Sequence, residues 1–256
     1  MFTRAIVRIP GHNFADGVTT ADLGMPHFPK TLDQHAAYGR ALEACGLEMT
    51  WLQPDLAYPD STFVEDTAVI FGEKAVLARP GTASRLGEVA GIREALETQL
   101  STLFEITAPG TLDGGDICEA DTHFFIGISH RTNEEGGRQL AGFLTSAGYT
   151  SSFVDIRKMR GILHLKSGIA HLGDKDLVVW DDFVPFEQFR GYNLIRVAPE
   201  ERFAANCVRV NSRVLIAEGF PKFAEQIEKA GYKPLALDVS EFRKMDGGLS
   251  CLSLRF

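Results

Sequence analysis

The alternation of apolar and polar positions divides the chain into short strands, turn-rich segments and a few amphipathic helices. Residues 2–9 predict a first strand, followed by a long loop over residues 11–30 rich in Gly, Pro, His, Asp and Thr. A loop of that length in a compact domain is often functional. From residue 31 to 45, Leu32, His35, Tyr38, Leu42 and Cys45 recur at helical spacing, with Thr31 placed to cap the helix and Gly46 to end it. A strand over 49–52 leads to a turn-rich segment that includes Asp60. Residues 62–71 predict a buried strand interrupted by Glu65 and Asp66, and 74–78 close a hairpin with it across Gly72-Glu73. Farther on, helices are predicted over 88–100, 134–147, 183–189 and 223–230, with a helical turn over 240–244. Strands are predicted over 103–107, 123–128, 152–156, 177–180, 193–197, 214–217 and 233–237, and a last one leads to the C-terminus.

Certain polar residues stand where apolar ones belong. Asp66, Asp116, His164, Asn206 and Cys251 each mark the start of a strand-like run and recur at intervals of 42 to 50 residues. Each unit then has a hairpin partner, a helix and a further strand. Repeats of that period imply a closed array or solenoid. If five such units close around an axis, the marked strand ends converge on one centre.

A chain of 256 residues makes one large domain or two small ones; the five-unit pattern favours a single domain over residues 1–256. The net charge of −8 argues against nucleic acid or an anionic membrane as partner and suits a cationic small molecule. No apolar run approaches the roughly 20 residues of a membrane span, and the N-terminus reads as a strand rather than a signal peptide, so a cytoplasmic protein is expected. Cys45, Cys118, Cys207 and Cys251 are scattered, with no Cys-x-x-Cys pair, which gives no support for a disulfide framework or a structural zinc site. The first three read as packing residues.

The fourth differs. In Met245-Asp-Gly-Gly-Leu-Ser-Cys251, Gly247 and Gly248 permit a turn or a close backbone approach, so Cys251 sits where a glycine-rich turn meets a strand. A nucleophile needs that placement, although a small buried core cysteine would fit the same pattern. His164 between leucines could likewise be a core residue. Glu65 and Asp66 are either solvated at a strand mouth or buried and in need of partners. Asp113-Gly-Gly-Asp116 could be no more than a hairpin turn.

Taken together, Phe63-Val-Glu65-Asp66, Leu112-Asp113-Gly-Gly-Asp116, Arg131-Thr-Asn, Leu163-His164-Leu-Lys-Ser, Ala204-Ala-Asn-Cys and Met245-Asp-Gly-Gly-Leu-Ser-Cys251 resemble, in order and over essentially the full length, the dimethylarginine dimethylaminohydrolase family of guanidino-group-modifying enzymes. The resemblance implies an α/β fold, the pentein five-bladed α/β-propeller, built from five pseudo-repeats of about 50 residues. It implies Cys251 as nucleophile, His164 as general acid/base and Asp113 as the acid that orients the histidine. Bacterial relatives often carry Glu at that place, and the shorter acid is expected to lengthen or re-aim the contact. Asp66 with Glu65 would hold a guanidinium, Asp60 and the backbone of Val18 the substrate α-ammonium, and Arg85 and Arg131 its α-carboxylate. The backbone of Met245 would touch substrate, and Asp116 would support the site from behind. No cofactor and no metal are implied; zinc would act only as an inhibitor at Cys251 and His164. Bacterial relatives suggest a homodimer.

The implied reaction converts N(omega)-methylated arginines to citrulline and dimethylamine or methylamine through a covalent thiouronium on Cys251. Two alternatives stand beside it: an arginine deiminase-type or other amidino hydrolase on the same fold, for which the chain is short, and a non-catalytic ligand-binding pentein, which would be expected to lack the cysteine or the histidine.

Overall fold

The computed structural model describes residues 1–256. In chain order the strands are β1 (Arg4–Arg8), β2 (Glu48–Leu52), β3 (Ala68–Phe71), β4 (Lys74–Leu77), β5 (Thr102–Glu105), β6 (Ile117–Ala120), β7 (His123–Ile128), β8 (Thr150–Asp155), β9 (Ile169–Gly173), β10 (Asp176–Trp180), β11 (Asn193–Val197), β12 (Val208–Val210), β13 (Arg213–Ala217), β14 (Pro234–Leu237) and β15 (Leu254–Arg255). The helices are α1 (Phe28–Ala44), α2 (Val89–Glu97), α3 (Glu134–Ser146), α4 (Pro221–Lys229) and α5 (Ser240–Arg243). The chain forms two compact units, one of Met1–Glu65 with Cys207–Phe256, the other of Asp66–Asn206.

Five three-stranded sheets share one plan. A short leading strand pairs antiparallel with a central strand, which pairs parallel with a third reached by a crossover. In the Asp66–Asn206 unit these are β3-β4-β5, β6-β7-β8 and β9-β10-β11. The other unit holds β12-β13-β14 and β15-β1-β2. The last sheet takes its leading strand from the C-terminus and the rest from the N-terminus, with Ala5 opposite Arg255 and Arg4 beside Glu48. The fifth repeat is therefore split, and chain ends far apart in sequence are sealed by Phe256 N–H to the Arg4 carbonyl and by Thr3 and Arg4 N–H to the Phe256 carbonyl.

Each leading strand follows a 3-10 turn, and the five marked polar residues lie in or beside those turns: Val64–Thr67, Gly114–Asp116, Leu165–Ser167, Pro199–Ala205 and Ser250–Leu252. Here the structure corrects the sequence reading. Glu65 and Asp66 do not interrupt a strand over 62–71; the strand begins only at Ala68. A strand would send adjacent acids to opposite faces, whereas the turn lets each reach its own donors. His164 is also outside a strand, in extended conformation just ahead of its turn.

The first helix begins earlier than the pattern suggests. Its N-cap is His27, and Pro29 occupies the first turn, where its fixed φ and missing N–H cost nothing. Thr31 is not the cap; it lies inside the helix and its hydroxyl donates to the His27 carbonyl at 3.2 Å. Asn133 caps α3 as a side-chain acceptor from Gly136 N–H. The helix expected over 183–189 is replaced by two 3-10 turns, Asp181–Phe183 and Glu187–Phe189. Cys118 and Cys207 are buried as expected, but Cys45 is half-buried at the C-cap of α1 rather than packed in a core.

Apolar faces fill each unit. In the larger one Phe71, Leu112, Phe124, Ile126, Leu140 and Leu144 pack together, each side chain contributing about 1.5–3 kcal/mol on burial. In the other, Phe14, Phe63 and Phe242 meet edge to face at 5.5 to 6.3 Å beneath the turns that carry Asp60 and Met245.

Candidate active site

In the Asp66–Asn206 unit, the residues singled out by sequence gather around His164. Asp113, fully buried, places Oδ2 3.0 Å from His164 Nε2, while its Oδ1 accepts from Gly81 N–H at 2.8 Å. The contact is of ordinary hydrogen-bond length. Asp66 Oδ1 lies 3.9 Å from His164 Nδ1 on the other side of the ring. That carboxylate accepts from Gly115 N–H at 2.9 Å and from Arg85 Nη1 at 2.6 Å. The close approach explains the glycine: a Cβ on Gly115 would come within 2.7 Å of Asp66 Oδ1 and 2.8 Å of His164 Nδ1.

Burial alone would strip His164 of its proton, but Asp66, the hydrogen bond to Asp113 and the charge of Asp116 outweigh it and raise the imidazole to about 9. At neutral pH it is an imidazolium. Burial pushes Asp66 toward its neutral form, and the His164 and Arg85 charges with the Gly115 N–H overcome that push, holding it well below the usual carboxylate range.

Asp116 turns away from the histidine's nitrogens. Its oxygens accept from the hydroxyls of Ser129 and Thr132, both at 2.7 Å, and from Leu165 N–H at 3.0 Å. It thereby ties the residue after His164 to the turn that precedes α3. Burial raises Asp116 to about 6 in spite of those donors.

The two arginines differ. Arg131 keeps 12% of its side chain exposed and approaches Asp113 Oδ2 at 3.4 Å. Arg85 is buried, with Nε and Nη2 on Glu88 and Nη1 on Asp66. Expected to hold a substrate carboxylate, it lies in this structure against two protein carboxylates. Asp66, Asp113 and His164 also present donor atoms within 4.8 Å of one another, a metal-like spacing; arginines lie against both acids, so protein cations already balance the cluster.

The remaining sequence-predicted residues lie in the other unit. Cys251 is half-buried in the turn Ser250–Leu252, ahead of β15. Its approach segment needs glycine: a Cβ on Gly247 would sit 2.2 Å from the Phe63 ring. Glu65 is buried, accepting from Ser250 Oγ at 2.7 Å and from Arg255 Nη2 at 3.3 Å. Asp60 accepts the Val18 N–H with both oxygens, at 3.2 and 3.1 Å. Met245 is buried, its methyl group 3.2 Å from where a Cβ on Gly17 would stand.

Sequence reasoning missed Glu88, Ser129, Thr132, Ser250 and Arg255. A signal existed for two of them: Ser250 adjoins the marked cysteine, and Arg255 is a charge in an otherwise apolar last strand.

No protein-family model matches the chain. It is 43% identical, over all of both chains, to N(G),N(G)-dimethylarginine dimethylaminohydrolase of Pseudomonas aeruginosa, and 34% identical to the Streptomyces coelicolor protein of the same name, over 98% of this chain and 96% of that one. A cysteine-to-serine mutant of the Pseudomonas aeruginosa protein, solved with citrulline, matches with a TM-score of 0.97 at 42% identity over all of both chains. The N-terminal domain of ArgZ, an arginine dihydrolase, matches with a TM-score of 0.89 at 20% identity, a likeness of fold alone. The five-repeat α/β propeller expected from the sequence is the fold class of this chain, and the chain belongs to the dimethylarginine dimethylaminohydrolase family.

Proposed function

We propose that the protein hydrolyses N(omega)-methylated arginines to citrulline and dimethylamine or methylamine. The observation that carries this reading is the full-length 43% identity to a curated dimethylarginine dimethylaminohydrolase. Two solved relatives support it: the cysteine-to-serine mutant holding citrulline and a histidine-to-glycine mutant as an adduct with S-methyl-L-thiocitrulline.

Residues 1–256 act as a single catalytic domain whose reaction uses both Cys251 and His164. A guanidinium carbon is a poor electrophile because three nitrogens share its charge, so a thiolate is the suitable nucleophile. Asp66 and Glu65 keep the guanidinium planar and protonated. Asp60 with the Val18 backbone receives the α-ammonium, and the Met245 backbone lines the site. Arg131 leads in holding the α-carboxylate; Arg85 joins only by releasing a protein carboxylate, and otherwise braces Asp66.

Cys251 Sγ adds to the guanidinium carbon. The His164 imidazolium, poised by Asp113, gives its proton to the departing amine, since an amide anion cannot leave. A thiouronium remains on sulfur. Neutral His164 then takes a proton from water, the hydroxide adds to the same carbon, the C–S bond breaks as the thiolate returns, and the new hydroxyl gives its proton to solvent, where the released amine takes it up, leaving citrulline. No cofactor takes part in this route. Four cysteines outside any disulfide suit a reducing, cytoplasmic setting, and a homodimer is the assembly to seek by sedimentation.

The test is a product assay with asymmetric dimethylarginine, arginine and agmatine, wild type beside Cys251→Ser. Citrulline and dimethylamine from the first substrate alone, lost in the mutant, are expected. Ammonia from arginine at a comparable rate would move the protein to the deiminase branch.

A further inference from the structure

Behind the Cys251 turn lies a charged cluster centred on Arg255, a residue that the reaction above does not use. Arg255, next to last in the chain, has 12% of its side chain exposed. Its Nη1 donates to the carbonyls of Ser250 and Ser253, at 3.3 and 3.0 Å, and to Ser253 Oγ at 2.7 Å. Nη2 donates to Glu65 Oε1, whose other oxygen accepts the Ser250 hydroxyl. The ring closes on itself: one guanidinium grips the backbone of residue 250 and also the carboxylate that holds the same residue's side chain. Tyr38 of α1 extends it, its hydroxyl 2.7 Å from Ser253 Oγ. Ser250 Oγ lies 4.0 Å from Cys251 Sγ.

Stability does not explain this arrangement. A buried ion pair is commonly no more stabilising than apolar side chains of the same volume. Arg255 also leaves its Nε buried without a hydrogen-bond partner, which costs free energy. What the cluster does supply is rigidity around one peptide, the one that leads into Cys251.

We propose, resting on Cys251 as the nucleophile, that Arg255 is a positioning residue: it fixes the Ser250–Leu252 turn so that the thiol is presented in one orientation, and it offsets the Glu65 charge beside it. Arg255 acts through Glu65 and the backbone, not on substrate.

The experiment compares wild type, Arg255→Met and Arg255→Lys by three readouts: kcat and KM on asymmetric dimethylarginine, the rate at which iodoacetamide alkylates Cys251 (followed by mass), and the thermal midpoint. A displacement of about 1 Å in a reacting group costs roughly 100-fold, so Arg255→Met should lower kcat roughly 10- to 100-fold while KM stays within about threefold. Alkylation, which needs no substrate, should slow as well. Arg255→Lys keeps the charge but loses the planar fork; alkylation should return to near wild type while kcat stays about tenfold low. If Arg255→Met does not fold, the lysine variant decides. Wild-type kcat and alkylation in Arg255→Lys, with only the midpoint lowered, would overturn the proposal. If wild type turns over no methylarginine, the functional reading fails separately, and the alkylation rates still decide the role of Arg255.

Discussion

The two units hold their chemistry by opposite means. Around His164 the Asp66–Asn206 unit packs charge against charge: Asp113 and Asp66 on either side of the ring, Arg85 and Glu88 behind, Asp116 below. The proposed acid/base group must have its proton affinity set, and burial among fixed charges sets it. The other unit leaves Cys251 half-buried on a short turn and places its charged pair, Glu65 with Arg255, inside, under the backbone. The proposed nucleophile must be reached, so its surroundings fix direction rather than exclude water. Proton affinity comes from what touches the ring; orientation comes from what grips the chain.

The comparison breaks first at its two centres. Cys251→Ser should abolish turnover, and His164→Asn should lower kcat by about 10²–10⁴-fold, the usual worth of a general acid/base; steady-state product assays check both. An His164→Asn rate near wild type would show that the carboxylate cluster does not serve catalysis.

Arg85→Ala should come next. It leaves Asp66 and Glu88 buried without their cation, at a cost of about 3–5 kcal/mol, seen as a lowered midpoint in urea. Arg131→Ala should leave the fold intact and raise KM for an amino-acid substrate by about 10-fold or more, with little change for agmatine, because only the former carries a carboxylate. Equal KM losses for both substrates would deny Arg131 the carboxylate.

Gly115→Ala tests the close packing of the histidine side. Its methyl group would press on His164 and Asp66, so a stability loss of about 1–3 kcal/mol is expected by overpacking, together with lower kcat. Gly247→Ala, pressed against the Phe63 ring, should cost similar stability in the nucleophile's unit; thermal melts compare the two.

The last test concerns pH dependence, whose slope is spread over several pH units. His164 is raised from 6.5 to about 9 on folding. Its stabilising contribution is therefore complete below pH 6.5 and lost as pH rises through about 9, on the order of a few kcal/mol. Urea melts across that window should show a slope in wild type that flattens in His164→Asn.

Much of this was readable before any coordinates. The five marked residues each flank a leading strand, because a polar residue at the head of an apolar run must end or turn that run before burial becomes affordable. The hairpins across Gly72-Glu73 and the placement of Cys251 after two glycines were likewise local matters. The Thr31 cap was misread because two residues compete to start a helix there, and Pro29 within the first turn outweighs a threonine that can bond backward to His27.

Sequence by itself determined the repeat and the kinds of side chain placed at the strand heads, since periodicity and residue type are properties of neighbours along the chain. Tertiary structure alone decided the partners. It gave Arg85 to Glu88 and Asp66, separated Asp113 on the histidine from Asp116 on the backbone, and folded Arg255 under Ser250. The physical reason is the same in each case: a buried charge is settled by whichever donors the fold brings within about 3 Å, and that distance has no counterpart along the chain.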